Sequence, residues 1–126
     1  MTIDIENIQY KSKRFTLRCI GLSHYLQDDK GEHVLSQWLS EDCASAGMNI
    51  KSAVGYGVSA EGLSHMQVAL EHVSKAHYWL ELLFDSGYLS ETEHGSVFNE
   101  CLSLESLLSD TVRTMQRKLQ SSPPQQ

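Results

Sequence analysis

The sequence predicts an all-α protein, folded as an antiparallel four-helix bundle with up-down-up-down topology. Its 126 residues match the size of one domain. Both prolines lie among the last six residues, so residues 1–122 are free of the amino acid that breaks helices. Four segments repeat apolar residues with a helical period, and the short links between them make neighbouring helices antiparallel. We expect one domain over residues 1–120 and a disordered tail over residues 121–126.

The first two predicted helices run from about Ile8 to Gln27 and from about Glu32 to Val54. Each carries its apolar residues on one face, which is typical of a bundle helix. The Asp28-Asp29-Lys30-Gly31 cluster ends the first helix, and the Gly55-Tyr56-Gly57 turn ends the second, because glycine readily adopts a left-handed cap conformation. The apolar positions are Ile8, Phe15, Cys19, Leu22 and Leu26 in the first helix, and Leu35, Leu39, Cys43, Ala46, Ile50 and Ala53 in the second.

The third predicted helix has the clearest apolar pattern. Ser59 is placed to cap its start, and Gly87 is placed to cap its end. Ala69, Ala76 and Leu83 widen the apolar stripe, and so wide a stripe suits a bundle in which each helix contacts two neighbours. The heptad seam consists of Leu63, Met66, Leu70, Val73, His77, Leu80 and Phe84.

The fourth predicted helix begins at a capping box. Ser90 can accept a hydrogen bond from the backbone N–H of Glu93, and the Glu93 carboxylate can accept one from Ser90. The prolines after Ser121 cannot continue the helix. The apolar positions of this helix are Val97, Cys101, Leu104, Leu108, Val112, Met115 and Leu119.

The charge of the chain is unevenly distributed. The formal net charge is −6, which argues against a uniformly basic, sequence-blind nucleic-acid binder. Residues 1–27 hold four basic and two acidic residues. Residues 28–110 hold three basic and 14 acidic residues, and residues 111–126 hold three basic and no acidic residues. The terminal segments are therefore positive and the middle of the chain is strongly negative.

In an up-down-up-down bundle the two basic termini meet at one end, beside the Gly55-Tyr56-Gly57 turn. Helix dipoles account for bases in a last turn and acids in a first turn, but not for Lys11, Lys13 and Arg14 near a helix start. Two interpretations stay open: a solvated basic end, or a site for an anionic partner such as RNA phosphates or an acidic protein face. The predicted basic pole consists of Lys11, Lys13, Arg14, Arg18, Arg113, Arg117 and Lys118. The predicted acidic pole consists of Asp28, Asp29, Glu32, Asp85, Glu91 and Glu93.

Three large aromatic residues lie off the predicted seams. Trp38 lies beside Leu39 on the second helix, and Tyr78 and Trp79 lie beside the seam of the third. They either pack on an adjacent helix or become buried against another subunit, because aromatic side chains are enriched in interface cores. We take Trp38, Tyr78 and Trp79 as the candidate oligomer interface.

No pattern of residues predicts catalysis, a cofactor, a metal site or a small-molecule substrate. The six histidines form no HExxH and no repeated ExxH, and the sequence has no P-loop, GxGxxG or nucleophile elbow. His77 occupies a seam position, where it is a hydrogen-bonded core histidine, a ligand or a proton-transfer group. The three cysteines form no CxxC, and we expect free thiols in a reducing cytosol. We also expect no secretory signal and no membrane span.

Several turns carry a family resemblance over the stretch from Gly55 to Leu119. The residues are the run Asp85-Ser86-Gly87-Tyr88-Leu89-Ser90 with Glu91 and Glu93, the Gly55-Tyr56-Gly57 turn with Ser59, and Ala44, Met48 and Ala53. The sequence resembles the four-helix-bundle proteins encoded in intervening sequences of bacterial 23S rRNA genes, a family that includes accessory proteins of diversity-generating retroelements. The resemblance implies a non-enzymatic bundle that assembles into a ring, often a pentamer, and acts on RNA or ribonucleoprotein.

The sequence thus leaves two functional classes. The first is a cytoplasmic, self-associating accessory that binds RNA or a reverse transcriptase through the basic pole. The second is a protein-interaction scaffold that uses its aromatic and acidic faces without binding nucleic acid. Salt-dependent retention of RNA distinguishes the first class from the second.

Overall fold

The computed structural model describes residues 3–121, which form four helices joined by short loops. The helices are α1 (Ile5–Lys30), α2 (Leu35–Tyr56), α3 (Ala60–Asp85) and α4 (Glu91–Ser121). No strand occurs in this part of the chain, so the predicted all-α fold is confirmed. Ser121, which we expected in the tail, is the last residue of α4. The rest of the predicted tail lies outside the described residues.

The helices are antiparallel neighbours around a closed square. Between α1 and α2, the Thr16 hydroxyl donates to the carbonyl of Cys43, and the Ser23 hydroxyl donates to the carbonyl of Ser36. The residue numbers rise on one helix as they fall on the other, and the other adjacent pairs show the same order. Within residues 3–121, α2 and α3 pack most extensively, α1 and α4 pack least, and the diagonal pairs do not pack together.

The core follows the predicted apolar stripes in α1, α2 and α4 but is rotated in α3. Four residues of the predicted α3 seam are not buried: Leu63, Leu70 and His77 are half-buried, and Phe84 is exposed. The predicted position of the buried stripe around the α3 axis was therefore wrong. The reason is that α3 packs more extensively on α2 than on α4, which turns its buried stripe toward α2. The buried residues of α3 are Gly62, Met66, Ala69, Val73, Ala76, Leu80 and Leu83.

A buried carboxylate starts α2. Glu32 accepts hydrogen bonds from the backbone N–H groups of Val34, Leu35 and Ser36, at 3.2, 2.9 and 2.7 Å. The helix therefore begins at Leu35 and not at Glu32, which lies in the capping loop. Burial alone would raise the pKa of Glu32, but these backbone hydrogen bonds outweigh it and lower the pKa.

The predicted capping signals of the later helices are present. The Ser59 hydroxyl accepts from the N–H of Gly62 at 3.0 Å, which confirms the start of α3. At α4, the N–H of Glu93 donates to the Ser90 hydroxyl at 3.1 Å, and the N–H of Ser90 donates to the Glu93 carboxylate at 2.8 Å. This reciprocal pair is the predicted capping box. Gly87 has a φ of 84° and closes α3 as expected.

Close approach of the α2–α3 turn to α3 requires a glycine at position 62. A Cβ atom on Gly62 would collide with the carbonyl oxygen of Gly57, which itself has a φ of 67°. The helix before this turn extends to Tyr56, two residues beyond the predicted end at Val54. The turn is therefore a tight three-residue connection, and it lies at the same end of the bundle as the start of α1.

Candidate functional site

The outward side of α1 is rich in positive charge, with Lys13 at its α2 edge and Lys11 and Arg18 at its α4 edge. Residues 7–27 of this helix contain Lys11, Lys13, Arg14 and Arg18 and no acidic residue. We call these four residues the α1 basic face. Lys13 and Arg14 are exposed, and Lys11 and Arg18 are half-buried toward α4. The face runs along the side of the bundle from near the start of α1 to the middle of the helix.

The α1 basic face contacts α4 through few partners. Nε of Arg14 and Nη1 of Arg18 lie 3.3 and 3.1 Å from the same oxygen, Oε1 of Glu100. Nζ of Lys11 donates to the hydroxyl of Ser103 at 3.3 Å. One carboxylate therefore opposes two guanidinium groups, and the Lys11 ammonium meets a neutral hydroxyl, so positive charge stays in excess along this seam.

An exposed tyrosine adjoins these cations. Tyr10 is 62% exposed and lines an open cleft of about 460 Å³ together with Lys13, Arg14, Leu17 and Arg18. A side-chain hydrogen bond to Tyr10, followed by the nearby Glu100 carboxylate, raises the pKa of Arg14. A charged guanidinium therefore lies beside an accessible aromatic ring.

The remaining residues of the predicted basic pole lie on the last turns of α4. Arg113 forms an ion pair with Asp110, and Arg113, Arg117 and Lys118 are all exposed. Because Lys11 contacts Ser103, Arg113 lies about 15 Å farther along α4, at 1.5 Å per residue. The structure thus arranges the seven predicted residues as two groups, a lateral one on α1 and a terminal one on α4.

The three predicted interface aromatics form one patch across α2 and α3. The ring centroids of Trp38 and Trp79 are 5.1 Å apart, and those of Tyr78 and Trp79 are 5.6 Å apart. Trp38 and Tyr78 are exposed, and Trp79 is half-buried. We call Trp38, Tyr78 and Trp79 the aromatic patch. Its rings pack on one another across the two helices, and Trp38 and Tyr78 remain 44% and 53% exposed.

A carboxylate anchors the aromatic patch from beneath. Nε1 of Trp79 donates to Oδ2 of Asp42 at 2.6 Å, and Nδ1 of His72 lies 2.8 Å from Oδ1 of the same residue. Both oxygens of Asp42 are thus used. The sequence offered no local signal for this contact, because it joins residues 30 or more positions apart.

His77 links α3 to α4 at the margin of the core. Its Nε2 lies 2.9 Å from Oε1 of Glu81, and its Nδ1 lies 3.1 Å from Oε1 of Glu105. Phe98 packs edge-on against the imidazole, with ring centroids 4.8 Å apart. The two carboxylates lie on opposite sides of the ring, so they do not converge on a common ligand position. His77 acts here as a polar cross-link between two helices.

The other chemically capable side chains are buried or dispersed. Cys19, Cys43 and Cys101 are buried free thiols. A hydrogen bond with Cys19, then burial, raises the pKa of Cys43, and burial raises the pKa of Cys101. Among residues 3–121, no three His, Cys, Asp or Glu side chains are arranged to hold a metal ion. No helix in the same range has the length and apolar character to cross a membrane.

An apolar groove between α1 and α2 was not predicted. Met48, at 73% exposure, and Leu17 flank a groove of about 550 Å³, with Lys13 and Lys51 among its lining residues. Exposed apolar side chains of this size suggest a contact surface on this side of the molecule.

Comparison with known proteins adds a family to this geometry. A sequence model of the 23S rRNA-intervening sequence protein family matches residues 6–110 of the chain. The chain belongs to this family. The match confirms the family resemblance and covers it from Gly55 to Asp110. It also extends through α1 and α2, so it includes the α1 basic face and the aromatic patch. It ends before Arg113, and therefore before the basic group at the end of α4.

A solved structure has the same fold. It is a protein of unknown function from the S23 ribosomal protein family of Bacteroides thetaiotaomicron, 26% identical to this chain, with a TM-score of 0.83. The similarity covers 86% of this chain and 97% of that one. No curated protein matches the chain. The four-helix bundle is thus shared with a solved protein of unknown function.

Proposed function

We propose that this intervening-sequence family protein is a non-enzymatic, cytoplasmic accessory of an RNA or ribonucleoprotein, and that it binds RNA through the α1 basic face. The observation that carries the proposal is the run of residues 7–27, with four cations, an exposed tyrosine and no acid. Lysine and arginine attract RNA phosphates, and an exposed tyrosine can stack on an unpaired base. Single-stranded RNA is therefore the expected ligand.

The negative remainder of the chain supports a localised mode of binding. With a net charge of −6, the protein repels a polyanion everywhere except at its basic surfaces. An RNA strand is thus directed to the side of the bundle formed by α1. Binding is expected to be weak in one protomer and strengthened by repetition of the face in an oligomer.

Self-association is the second part of the proposal. The exposed rings of Trp38 and Tyr78, and the exposed side chains of Leu17 and Met48, are apolar surfaces that association would cover. By its resemblance to the retroelement accessory proteins, the assembly is proposed to be a ring, with a pentamer as the leading stoichiometry. A reverse transcriptase is the proposed protein component where the RNA belongs to such an element.

The arrangement of polar groups supports the absence of catalysis. Among residues 3–121, the cluster of Ser74, Glu105 and His77 comes nearest to a hydrolase triad. The Ser74 hydroxyl donates to Glu105 at 2.8 Å, and His77 contacts the other oxygen of the same carboxylate. In a triad the imidazole must accept the serine proton, so this order does not activate Ser74.

The test is RNA retention at low and high salt by two matched triple variants. One replaces Lys11, Lys13 and Arg14 with glutamine, and the other replaces the α4 group Arg113, Arg117 and Lys118 with glutamine. Each removes three positive charges. We expect the first variant to lose retention and the second to keep most of it. Equal losses would assign binding to net charge alone, and no retention by the wild-type protein at low salt would contradict the proposal.

The alternative function is a protein-interaction scaffold, which the exposure of Trp38 and Tyr78 favours. Its expected sign is a protein that copurifies after nuclease treatment and is lost when Trp38 and Tyr78 are replaced with serine. Circular dichroism and size-exclusion chromatography of the same variant separate loss of a partner from loss of folding or assembly.

A further inference from the structure

Two arginine side chains of α1 converge on a single oxygen of α4. Arg14 and Arg18 lie 3.3 and 3.1 Å from Oε1 of Glu100. Guanidinium groups placed around one oxyanion have the arrangement that recognises phosphate, because their N–H groups match its oxygens. We propose that Arg14 and Arg18 form a phosphate-binding site at the α1–α4 seam, in which the Glu100 carboxylate occupies the phosphate position until a phosphate displaces it. The inference rests on the proposed function, in which the phosphate belongs to RNA.

Further hydrogen-bond donors surround the same position. Lys11 and Ser103 contact each other at 3.3 Å, and both line an open cleft of about 290 Å³ with Tyr10, Arg14 and Glu100. This volume is several times the roughly 30 Å³ that a water molecule occupies. Among these lining side chains, Glu100 is the one anion. A phosphate at the seam would therefore meet cations and hydroxyls once Glu100 has moved.

Glu100 is held weakly enough to be displaced. The Arg14 side chain is 60% exposed, and ion pairs at such exposure contribute little to stability. The second oxygen of Glu100, Oε2, is buried and has no hydrogen-bond partner among residues 3–121. Only one of the two oxygens is therefore satisfied. A phosphate group offers Arg14, Arg18 and Lys11 more acceptor oxygens than this carboxylate does.

The packing of the bundle allows the exchange. α1 and α4 are the least extensively packed of the adjacent helix pairs. Glu100 can leave the seam by a side-chain rotation, without disturbing the more extensive α2–α3 contact. Glu100 thus acts as an internal competitor, which lowers phosphate affinity and excludes weakly binding anions.

The first test compares Glu100→Gln with Glu71→Gln. Both variants raise the net charge by one, but Glu71 is an exposed residue of α3, the helix diagonal to α1. We expect Glu100→Gln to bind a fluorescein-labelled oligouridine about three- to tenfold more tightly than the wild type. The slope of log affinity against log salt should steepen by about 0.7 for each added phosphate contact. Glu71→Gln should behave like the wild type.

The second test uses inorganic phosphate and thermal unfolding. A ligand that binds the folded state raises Tm, so phosphate should raise the Tm of Glu100→Gln more than that of the wild type. Replacing Arg14 and Arg18 with glutamine in the Glu100→Gln background should abolish this increase. A response to both phosphate and oligouridine indicates a site for any phosphate group, and a response to oligouridine alone indicates one for phosphodiesters.

A charge-preserving variant keeps the proposal testable if Glu100→Gln folds poorly. Arg14→Lys/Arg18→Lys retains the two positive charges but removes the guanidinium forks, so oligouridine affinity should fall. Equal responses of Glu100→Gln and Glu71→Gln, or unchanged affinity in the double lysine variant, would overturn the inference. Wild-type RNA retention would then still support the proposed function. A phosphate response without wild-type RNA retention would support the phosphate site and contradict the proposed function.

Discussion

Two carboxylates in this bundle each hold two side chains of a neighbouring helix, and their surroundings differ. Asp42 lies between α2 and α3, its side chain is 14% exposed, and its two oxygens contact His72 and Trp79. Glu100 lies between α4 and α1, its side chain is 25% exposed, and one oxygen contacts two arginines. The first site belongs to the most extensively packed helix pair, and the second to the least.

The difference separates a structural half of the bundle from an accessible half. At the α2–α3 seam both oxygens of the carboxylate are satisfied, and the alanines Ala69 and Ala76 are buried in the adjoining core. At the α1–α4 seam the Arg14 side chain is exposed and that of Arg18 is partly exposed, and one Glu100 oxygen is buried without a hydrogen-bond partner among residues 3–121. A well-buried, fully used hydrogen bond fixes a helix pair, whereas a solvent-exposed ion pair exchanges partners readily. The α1–α4 side is therefore the one suited to ligands.

The largest expected effect is at the tight turn of the structural half. Gly62→Ala places a methyl group against the carbonyl of Gly57, and we expect a loss of about 3 kcal/mol in the free energy of unfolding. Gly95→Ala in α4 is the matched control. A Cβ there meets no atom within 4 Å, so it should stabilise the protein by about 0.5–1 kcal/mol. Urea unfolding measures the change in the free energy of unfolding for both variants. Similar changes would contradict the distinction between a structural half and an accessible half.

The next effect concerns the carboxylate beneath the aromatic patch. Asp42→Ala leaves the Trp79 indole N–H and the His72 ring without their acceptor, and we expect a loss of about 2 kcal/mol. A double-mutant cycle with Trp79→Phe isolates the pair and should give a coupling of about 1 kcal/mol. A coupling near zero would show that Asp42 contributes through some other contact.

Local features of this fold could be predicted from the sequence, because their partners lie within one turn. Ser59 and the Ser90–Glu93 capping box are recognised from spacing alone, and both are present. The stripes of α1, α2 and α4 follow from apolar periodicity. In α3 the helical period of the apolar residues was predicted correctly, but the side of the helix that is buried was not. That side depends on which neighbouring helix packs more extensively on α3.

The contacts that build the candidate site could not be predicted, because they depend on register between helices. The charge pattern selected Arg14 and Arg18, but no sequence signal selected Glu100 as their shared partner. A one-turn shift of α4 would have presented Leu104 or Ser96 instead. The same limit applies to Asp42, which the sequence offered only as one acid among the 14 in residues 28–110.

A third carboxylate, Glu32, tests the comparison through pH. Its pKa is lower in the folded protein than in the unfolded chain because three backbone N–H groups donate to it, against the opposing effect of burial. Its stabilisation is therefore complete above the unfolded value of about 4.3 and is lost as the pH falls through the folded value. Glu32→Gln should lose about 1 kcal/mol near neutral pH.

The control for this pH effect is Glu91→Gln, which removes an exposed acid from the first turn of α4. Urea unfolding of both variants and the wild type near neutral pH and near about pH 3 is the measurement. The gap between the wild type and Glu32→Gln should narrow as the pH falls. A gap of unchanged size in acid would mean that Glu32 stabilises the loop through packing and not through its charge.

The smallest expected effect is at Glu100 itself. Glu100→Ala removes two solvent-exposed ion pairs and one unsatisfied buried oxygen, and it introduces the residue with the highest helix propensity. These contributions oppose one another, so the free energy of unfolding should change by no more than about 0.5 kcal/mol. Any remaining difference should vanish at high salt, because exposed pairs are screened. A loss as large as that of Asp42→Ala, unaffected by salt, would make Glu100 a structural group. The α1–α4 seam would then depend on its carboxylate for stability, as the α2–α3 seam does. A near-zero change means that the bundle does not need Glu100 at this position, which is the condition for a carboxylate that a ligand can displace.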